Sequence, residues 1–342
     1  MVNATSRVIR VETRGPASVL THTTIPCPTP KSTQVLVKVV FAGINFIDVN
    51  ERIGAYPTPV PFTPGREGAG EIVEVGSEVQ HGFKVGDRVA FLGLATYADY
   101  VAVDTVNLAK LPDSVSYEDG AALMIQGLTA LSLATKAYPI QRGDIIVIHA
   151  AAGGVGLILS QIASRRLGAT VIGTVSTEEK ATLARANGAH HVVVVPSTPA
   201  PGTKNPYEPL EALVNQLTNN KGVHAVFDSV GKATFESDLV IARRSATLVF
   251  YGFASGIVPD FNINRLTAKN LKVTRISLYN YMTTFEEFDE LYKEGLELLK
   301  GEDRIKLEVS KVYDFKDIQQ AHLDLEGRKT TGKLLLKVAG SN

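Results

Sequence analysis

"DIIVIHAAAGGVGLILSQIA", Asp144 to Ala163, decides the fold. "DIIVIHA" is a short unbroken apolar run rich in β-branched residues, the pattern of a strand buried on both faces. "GVGLILSQIA" has the apolar density of a packed helix, and the glycines between the two allow a tight turn. Ala151, Gly153 and Gly156 occupy the three positions of G-x-G-x-x-G, with alanine in the first. Strand, turn and helix in this order form the pyrophosphate-binding element of a dinucleotide site. Gly153 lets the backbone approach the pyrophosphate and Gly156 lets the helix pack closely on the sheet. The helix start around Gly154 and Val155 presents free N–H groups and the positive end of the helix dipole.

The same texture continues outward. "TVIGTV", "HVVVV", "VHAVFDSV", "ATLVFYG" and "LKVTRISL" read as strands. Thr177 to Asn187, "PYEPLEALVNQLTNN" and "KATFESDLVIARR" read as helices between them. Alternating units of this size build a doubly wound parallel sheet. "PSTPAPGTKNPYEP", Pro196 to Pro209, interrupts the series as an exposed loop.

The end of the second strand, "VIGTVSTEEK", Val171 to Lys180, bears on the choice of nucleotide. A carboxylate here would accept a bond from a free ribose 2′-hydroxyl and repel a 2′-phosphate. The position falls on Ser176, which can donate to a phosphate oxygen, and Lys180 brings a cation within reach. Glu178 and Glu179 suit the helix start through its dipole. The expected cofactor is NADPH.

Toward the N-terminus the chain is β-rich. "VLVKVVFAGI", "GAGEIVEVG", "GDRVAFLG" and "ADYVAVD" are short β-branched runs broken by Gly, Pro and Asp turns, which suggests a partly closed antiparallel barrel. "SYEDGAALMIQGLTALSLATKAY" reads as a helix entered through Ser116, with Asp119 three residues on. The stretch from about Thr284 supplies a helix, the strand "KLEVSKVYDF", a helix through "DIQQAHLDL" and the strand "GKLLLKV", and returns to the first domain.

A length of 342 residues exceeds one ordinary core and suits two domains. The 35 basic residues balance 35 acidic ones, so composition gives no sign of the basic surface a nucleic-acid partner wants. A lone cysteine, Cys27, cannot form an internal disulfide and fits a reducing compartment. No apolar run is long enough to span a bilayer, and "MVNATSRVIR" has no apolar signal core, so the cytoplasm, or the nucleus, is the expected location.

"AAAGGVGLILSQIA" together with "AGINFIDVNERIGAYP", "PGREGAGEIVEVG", "FKVGDRVAF", "QGLTA", "FDSVGKATFE" and "EGRKTTGKLLL" resembles, in the expected order and over nearly the whole chain, one known family. It is the zinc-independent quinone oxidoreductase (ζ-crystallin-like) branch of the medium-chain dehydrogenase/reductase superfamily. "GREGAG" and "GTVSTEEK" look closest to its fungal NADPH-dependent quinone reductases. The resemblance implies an α/β protein in which a GroES-like β-barrel catalytic domain, residues 1–127 and 284–342, is split around a Rossmann domain, residues 128–283. It further implies a homodimer or homotetramer that reduces a quinone or another small electrophile. The apolar edge "LKVTRISLY" is where the family pairs its Rossmann domains.

The three usual zinc-ligand positions of the superfamily fall on Asn45, Arg66 and Ile125. Arginine and isoleucine cannot ligate and an Asn amide is a poor zinc donor, so no metal is expected. Glu67 is left to a salt bridge with Arg66 or a packing bond. His149, His190 and His191 read as surface or strand-end residues. The resemblance assigns Asn45 and Tyr56 as donors to the charge developing on the substrate oxygen. Asp48 either orders them, relays a proton or caps a helix. For the cofactor the resemblance adds Thr129, Gly173, Ser229, Tyr251, Phe253, Ser255 and Arg328. Phe253 stands where the family segment usually has Asn, and Val195 where related bacterial enzymes often place an aromatic. A second enzymatic reading is an NADPH-dependent reductase of α,β-unsaturated carbonyls. A third is an NADPH-binding structural or AU-rich RNA-binding protein, for which the neutral charge and the lack of an RNA-recognition motif give no support.

Overall fold

The computed structural model describes residues 3–198 and 200–338. The chain divides into two compact units: Met1–Leu128, Met282–Glu297 and Leu307–Asn342 form the first, Thr129–Tyr281 and Leu298–Lys306 the second. Among the described residues no helix is long and apolar enough to cross a membrane.

The second unit is built on a six-stranded sheet in the spatial order His191–Val194, Thr170–Val175, Ile145–Ile148, Val223–Asp228, Ala242–Phe250, Lys272–Arg275. Every neighbouring pair in it is parallel. Parallel strands need crossovers, and the helices Gly154–Gln161, Glu178–Ala186, Glu208–Thr218 and Phe235–Ile241 supply them. Ile146, Val147 and Ile148 are all fully buried, so the central strand is covered on both faces and needs apolar side chains at every position. The order reverses between Ile145–Ile148 and Val223–Asp228, the switch point at which open α/β sheets bind ligands.

Two boundaries differ from the reading of the sequence. "KATFESDLVIARR" is helical only over Phe235–Ile241. Ala242 is already extended and pairs with Val223, after which the register shifts past Ser245, whose φ is 63°. Pairing with the neighbouring strand overrides the local helical pattern there. The segment Leu298–Lys306 belongs to the second unit, not to the first. The buried Gln161 explains why: its amide donates to the Lys306 carbonyl at 3.0 Å and accepts from the Lys306 N–H at 2.9 Å. Arg166 adds bonds to the carbonyls of Asp303 and Lys300.

The first unit holds a seven-stranded sheet. Its order runs Val309–Asp314, Lys333–Lys337, Gln34–Ile44, Glu67–Val75, Arg88–Leu92, Leu108–Lys110, and Tyr100–Asp104 also pairs with Gln34–Ile44. It is mixed, not purely antiparallel. Val309–Asp314 and Lys333–Lys337 run parallel because the helix Ile318–Glu326 returns the chain between them. Lys333–Lys337 pairs with the C-terminal half of Gln34–Ile44, and Tyr100–Asp104 with its N-terminal half. Its core includes the fully buried Val37, Val39, Ile72, Val89 and Leu336. Ser116 caps the helix Tyr117–Ala122 by accepting from the Asp119 N–H at 3.0 Å, as its spacing predicts. The helix widens to π geometry over Leu123–Gly127.

Candidate active site

In the first unit the candidate residue Asn45 lies against a buried carboxylate, Glu67. Asn45 ends the strand Gln34–Ile44 and is the N-cap of the helix Phe46–Ile53. Its Nδ2 donates to Glu67 Oε1 at 2.6 Å, and its Oδ1 accepts from Lys333 Nζ at 2.9 Å. Lys333 Nζ also bonds Glu67 Oε1 directly, and the Ile125 N–H, in the π-widened turn, donates to Glu67 Oε2 at 2.6 Å. Glu67 is fully buried, Lys333 is 2% exposed and Asn45 7%. Gly43 makes the space: a Cβ there would overlap the Glu67 carboxylate.

Asp48 caps the helix. Its Oδ2 accepts from the Asn45 N–H and from the Tyr97 hydroxyl, each at 2.8 Å. Burial pushes its carboxyl up to about 6, although both donors favour the charged form. Behind Tyr97 packs the ring of His322, whose pKa burial and then the neighbouring Arg52 push down to about 3. The buried Arg52 donates to the Gly15 carbonyl at 3.1 Å and pairs with Glu326, locking the helix Phe46–Ile53 to the helix Ile318–Glu326. Tyr56 lies on the loop beyond that helix, half-buried, with its N–H donated to the Asn50 carbonyl.

Glu67 does not pair with Arg66. Neighbouring residues on extended backbone point to opposite sides, so Arg66 reaches Glu51 instead. The former ligand positions therefore carry an amide fixed between two charges, a guanidinium engaged with a carboxylate, and a backbone N–H. These residues do not fit a zinc ion, and Lys333 brings a cation of its own to the place. Among the described residues no group of His, Cys, Asp and Glu side chains could hold a metal ion.

In the second unit the glycine turn sits at the sheet's switch point. The Ala151 N–H donates to the Thr174 carbonyl and the Gly153 N–H to that of Ala150, and Gly153 caps the helix that opens with Gly154, Val155 and Gly156. A Cβ on Gly156 would press on the backbone of Ala150 and Ala151, so glycine is what allows this turn and helix to close up. Gly173 is buried beneath Ala151, where its missing Cβ admits the alanine methyl. At the end of the second strand, Lys180 Nζ donates to Ser176 Oγ at 3.3 Å, while Thr177 caps the helix by accepting from the Lys180 N–H. The turns after the fourth and fifth strands join: Ser229 accepts the Ala254 N–H, and the Tyr251 N–H reaches the Asp228 carbonyl. Ser255 donates to the Val230 carbonyl and accepts the Ala233 N–H. The Phe253 ring has the Arg275 guanidinium 6.0 Å from its centroid. Thr129 is a nearly buried helical residue of this unit. Arg328 belongs to the first unit, exposed just past the helix Ile318–Glu326, with φ at 54°.

His149 is not a surface residue. It is fully buried, with Nδ1 2.8 Å from Thr174 Oγ1 and Nε2 2.8 Å from Asp238 Oδ1. Burial drives the Asp238 carboxyl upward. Of the other two, His190 is exposed and His191 half-buried.

Residues 31–113 match the model of the alcohol dehydrogenase GroES-like domain, and residues 154–294 that of the zinc-binding dehydrogenases. A probable quinone oxidoreductase of Schizosaccharomyces pombe is 38% identical over 334 residues, 96% of each chain. The chain belongs to the quinone oxidoreductase family. Within this family the crystal structure of Escherichia coli quinone oxidoreductase complexed with NADPH superposes with a TM-score of 0.89 at 37% identity, covering 97% of this chain and 99% of that one. A 2-haloacrylate reductase of Burkholderia is 34% identical over 318 residues, 90% of this chain and 91% of its own.

Lys333 and Tyr97 escape the reading of the sequence as members of this quinone oxidoreductase site. Their one local signal is polarity out of place: a lysine opening "KLLLK" and a tyrosine hydroxyl in a buried stretch.

The buried carboxyl gives a pH-dependent prediction. Asp48 titrates near 6, above the ordinary 3.8, so its ionisation weakens folding as pH rises from about 4 through 6. The Tyr97 hydroxyl opposes that loss by bonding the charged form. Tyr97→Phe is expected to destabilise by about 2 kcal/mol at pH 8 and by about half as much at pH 5, since a bond to an ionised acceptor is the stronger. Urea unfolding at the two pH values measures it, and equal losses would show that Asp48 does not titrate in this range.

Proposed function

We propose that the protein transfers a hydride from NADPH to a quinone without a metal. The observation that carries the proposal is that the three zinc-ligand positions are otherwise engaged: Asn45 in the buried cluster with Glu67 and Lys333, Arg66 with Glu51, and Ile125 through its backbone N–H to Glu67. A substrate of such a site must accept hydride without a strong Lewis acid, and a quinone does. NADPH, when bound, supplies the hydride, and the chain supplies position and electrostatics. The glycine turn and the helix starting at Gly154 suit its pyrophosphate, and Ser176 with Lys180 suits its 2′-phosphate. Asn45, through its second Nδ2 hydrogen, and Tyr56, through its hydroxyl, are the donors for the oxyanion that forms on the substrate. Asp48 orients Asn45 by holding its backbone N–H. Thr129, Ser229, Tyr251, Phe253, Ser255 and Arg328 complete the proposed cofactor contacts.

The resemblance to a 2-haloacrylate reductase supports a second reading, reduction of electron-poor α,β-unsaturated carbonyl compounds. Oxidation of NADPH measured side by side with quinones and enals separates the two. Quinone turnover should survive exhaustive chelation; its loss, restored by zinc, would overturn the metal-free proposal. In the same assay Tyr56→Phe should lower kcat by roughly tenfold or more with little change in NADPH affinity, since removing one oxyanion donor costs up to about a hundredfold or more. An unchanged kcat would assign Tyr56 to packing.

Cofactor choice is the next expectation. NADPH should be preferred to NADH by about one to two orders of magnitude in kcat/KM, each tenfold being roughly 1.4 kcal/mol and within reach of a charged hydrogen bond. Lys180→Ala should raise the KM for NADPH and leave NADH kinetics nearly untouched. Equal use of both cofactors by the unmodified protein would refute the role of Ser176 and Lys180.

The strand Lys272–Arg275 is the open edge of its sheet, and Ile257 and Ile263, ahead of it in the chain, are 70% and 71% exposed. A terminal strand of the sheet, together with exposed apolar side chains in the segment leading to it, supports pairing of two copies about a two-fold axis. Light scattering at micromolar concentration should give the mass of a dimer or tetramer, and a monomer mass would count against it.

A further inference from the structure

We infer that Lys333 is a positioning residue: its buried ammonium fixes the side-chain amide of Asn45 in the orientation that leaves an N–H free for substrate. The inference rests on the reading of Asn45 as a donor to the substrate oxygen and says how that donor is aimed.

The two ends of an asparagine amide are nearly alike in shape, and a half-turn about Cβ–Cγ exchanges them. What distinguishes them is the charge each faces. Here Oδ1 faces the Lys333 ammonium at 2.9 Å and Nδ2 faces the Glu67 carboxylate at 2.6 Å. The flipped amide would set N–H against ammonium and oxygen against carboxylate. Lys333 and Glu67 are buried too deeply for water to soften either repulsion. One hydrogen of Nδ2 is engaged by Glu67. The other lies in the same rigid amide plane, so fixing the flip fixes its direction.

Both charges are themselves immobile. The Ile125 N–H holds the far oxygen of Glu67, so the carboxylate cannot rotate away, and Gly43 leaves the space in which it lies. Lys333 opens a strand whose next residue, Leu334, is registered against Ile44, the residue before Asn45. The ammonium is therefore set by the sheet, not by a flexible surface stem. Without this cation one of the two constraints on the flip is lost, and the flipped amide presents a carbonyl oxygen toward the developing negative charge.

A mutually stabilising ion pair with no part in aiming Asn45 would place the same atoms together, so the test must separate charge balance from orientation. In the full-length protein, Lys333→Met leaves Glu67 without its cation and should lower both the melting temperature and kcat. Lys333→Met combined with Glu67→Gln removes both charges at similar volume. The Ile125 N–H keeps the glutamine oxygen on its own side and turns the NH2 toward Asn45, so the flip that aims an Asn45 N–H at substrate is no longer favoured. The double variant is expected to recover most of the melting temperature, while kcat for the quinone stays down by about tenfold, the order of one misaimed oxyanion donor, and the KM for NADPH stays within about twofold. Recovery of kcat along with stability would overturn the inference and leave the pair a structural one. A second readout needs no turnover. With asparagine selectively labelled with 15N, the Asn45 amide proton bonded to Glu67 should lie downfield of ordinary side-chain amides in the unmodified protein and move back toward them in Lys333→Met, which keeps Glu67. Unaltered signals would overturn the inference as well. If the unmodified protein reduces no quinone, the proposed function fails, while the amide signals still decide the role of Lys333.

Discussion

A carboxylate with no exposure to water must find a cation and donors for its oxygens, because an unpaired buried charge costs several kcal/mol. Glu67 is such a group, and the first unit is arranged around it. Its partners come from separate parts of the chain: Lys333 from the strand two places over in the sheet, Asn45 from just past the end of the strand between, and a backbone N–H from a widened turn of helix. Any slip of register by one residue would turn one of these side chains to the other face and strand the carboxylate. Replacing such a pair by apolar residues is often neutral for stability, so its value here is specification: it decides which strands lie beside each other and where Asn45 ends up.

The second unit has its own buried polar anchor. His149 ends the central strand and bridges Thr174 and Asp238 in the interior. The same Thr174 accepts the Ala151 N–H through its carbonyl, so the first residue of the glycine motif hangs from a strand that the histidine ties to the helix Phe235–Ile241. Asp228 does comparable work one strand over, accepting from the N–H groups of Val230 and Gly231 and from the Thr234 hydroxyl. Both turns at the switch point are thus held from below by side chains. The backbone N–H groups at the helix start, which have no partner within a helix, remain to face a ligand.

What was legible in the sequence follows from range. The alternation of strands and helices, the glycine turn and the cap at Ser116 depend on residues a few positions apart, and their spacing carries the information. The placement of Ser176 and Lys180 at the end of a strand is likewise local, and the structure joins their side chains. The partner of Glu67 was not legible because it lies 266 positions away, and the nearest basic residue, Arg66, is turned aside by the backbone itself. That His149, at a strand end as read, is buried and not on the surface was not legible because its hydrogen-bond partners, 25 and 89 positions on, come from other elements. The segment Leu298–Lys306 was misplaced for the same reason: one buried glutamine 145 positions earlier claims it.

The places that distinguish this chain chemically share a physical form. At the zinc positions, residues that would hold a metal give way to an amide, a guanidinium and an isoleucine, and a lysine from a distant strand restores a positive charge at the same spot. At the second strand, the acid that would hold a free ribose hydroxyl gives way to a serine with a lysine bonded to it. In each case the backbone that presents the site keeps its course while the local sign of charge changes, one toward a metal-free polar cluster, the other toward a strand end that carries a cation. A strand end tolerates such exchanges because its geometry is set by the sheet behind it, through main-chain bonds that no side chain supplies. The substrate a site of this kind selects is therefore written in a few charged and amide groups, and the most informative of them are the ones whose partners the fold, not the local sequence, chooses.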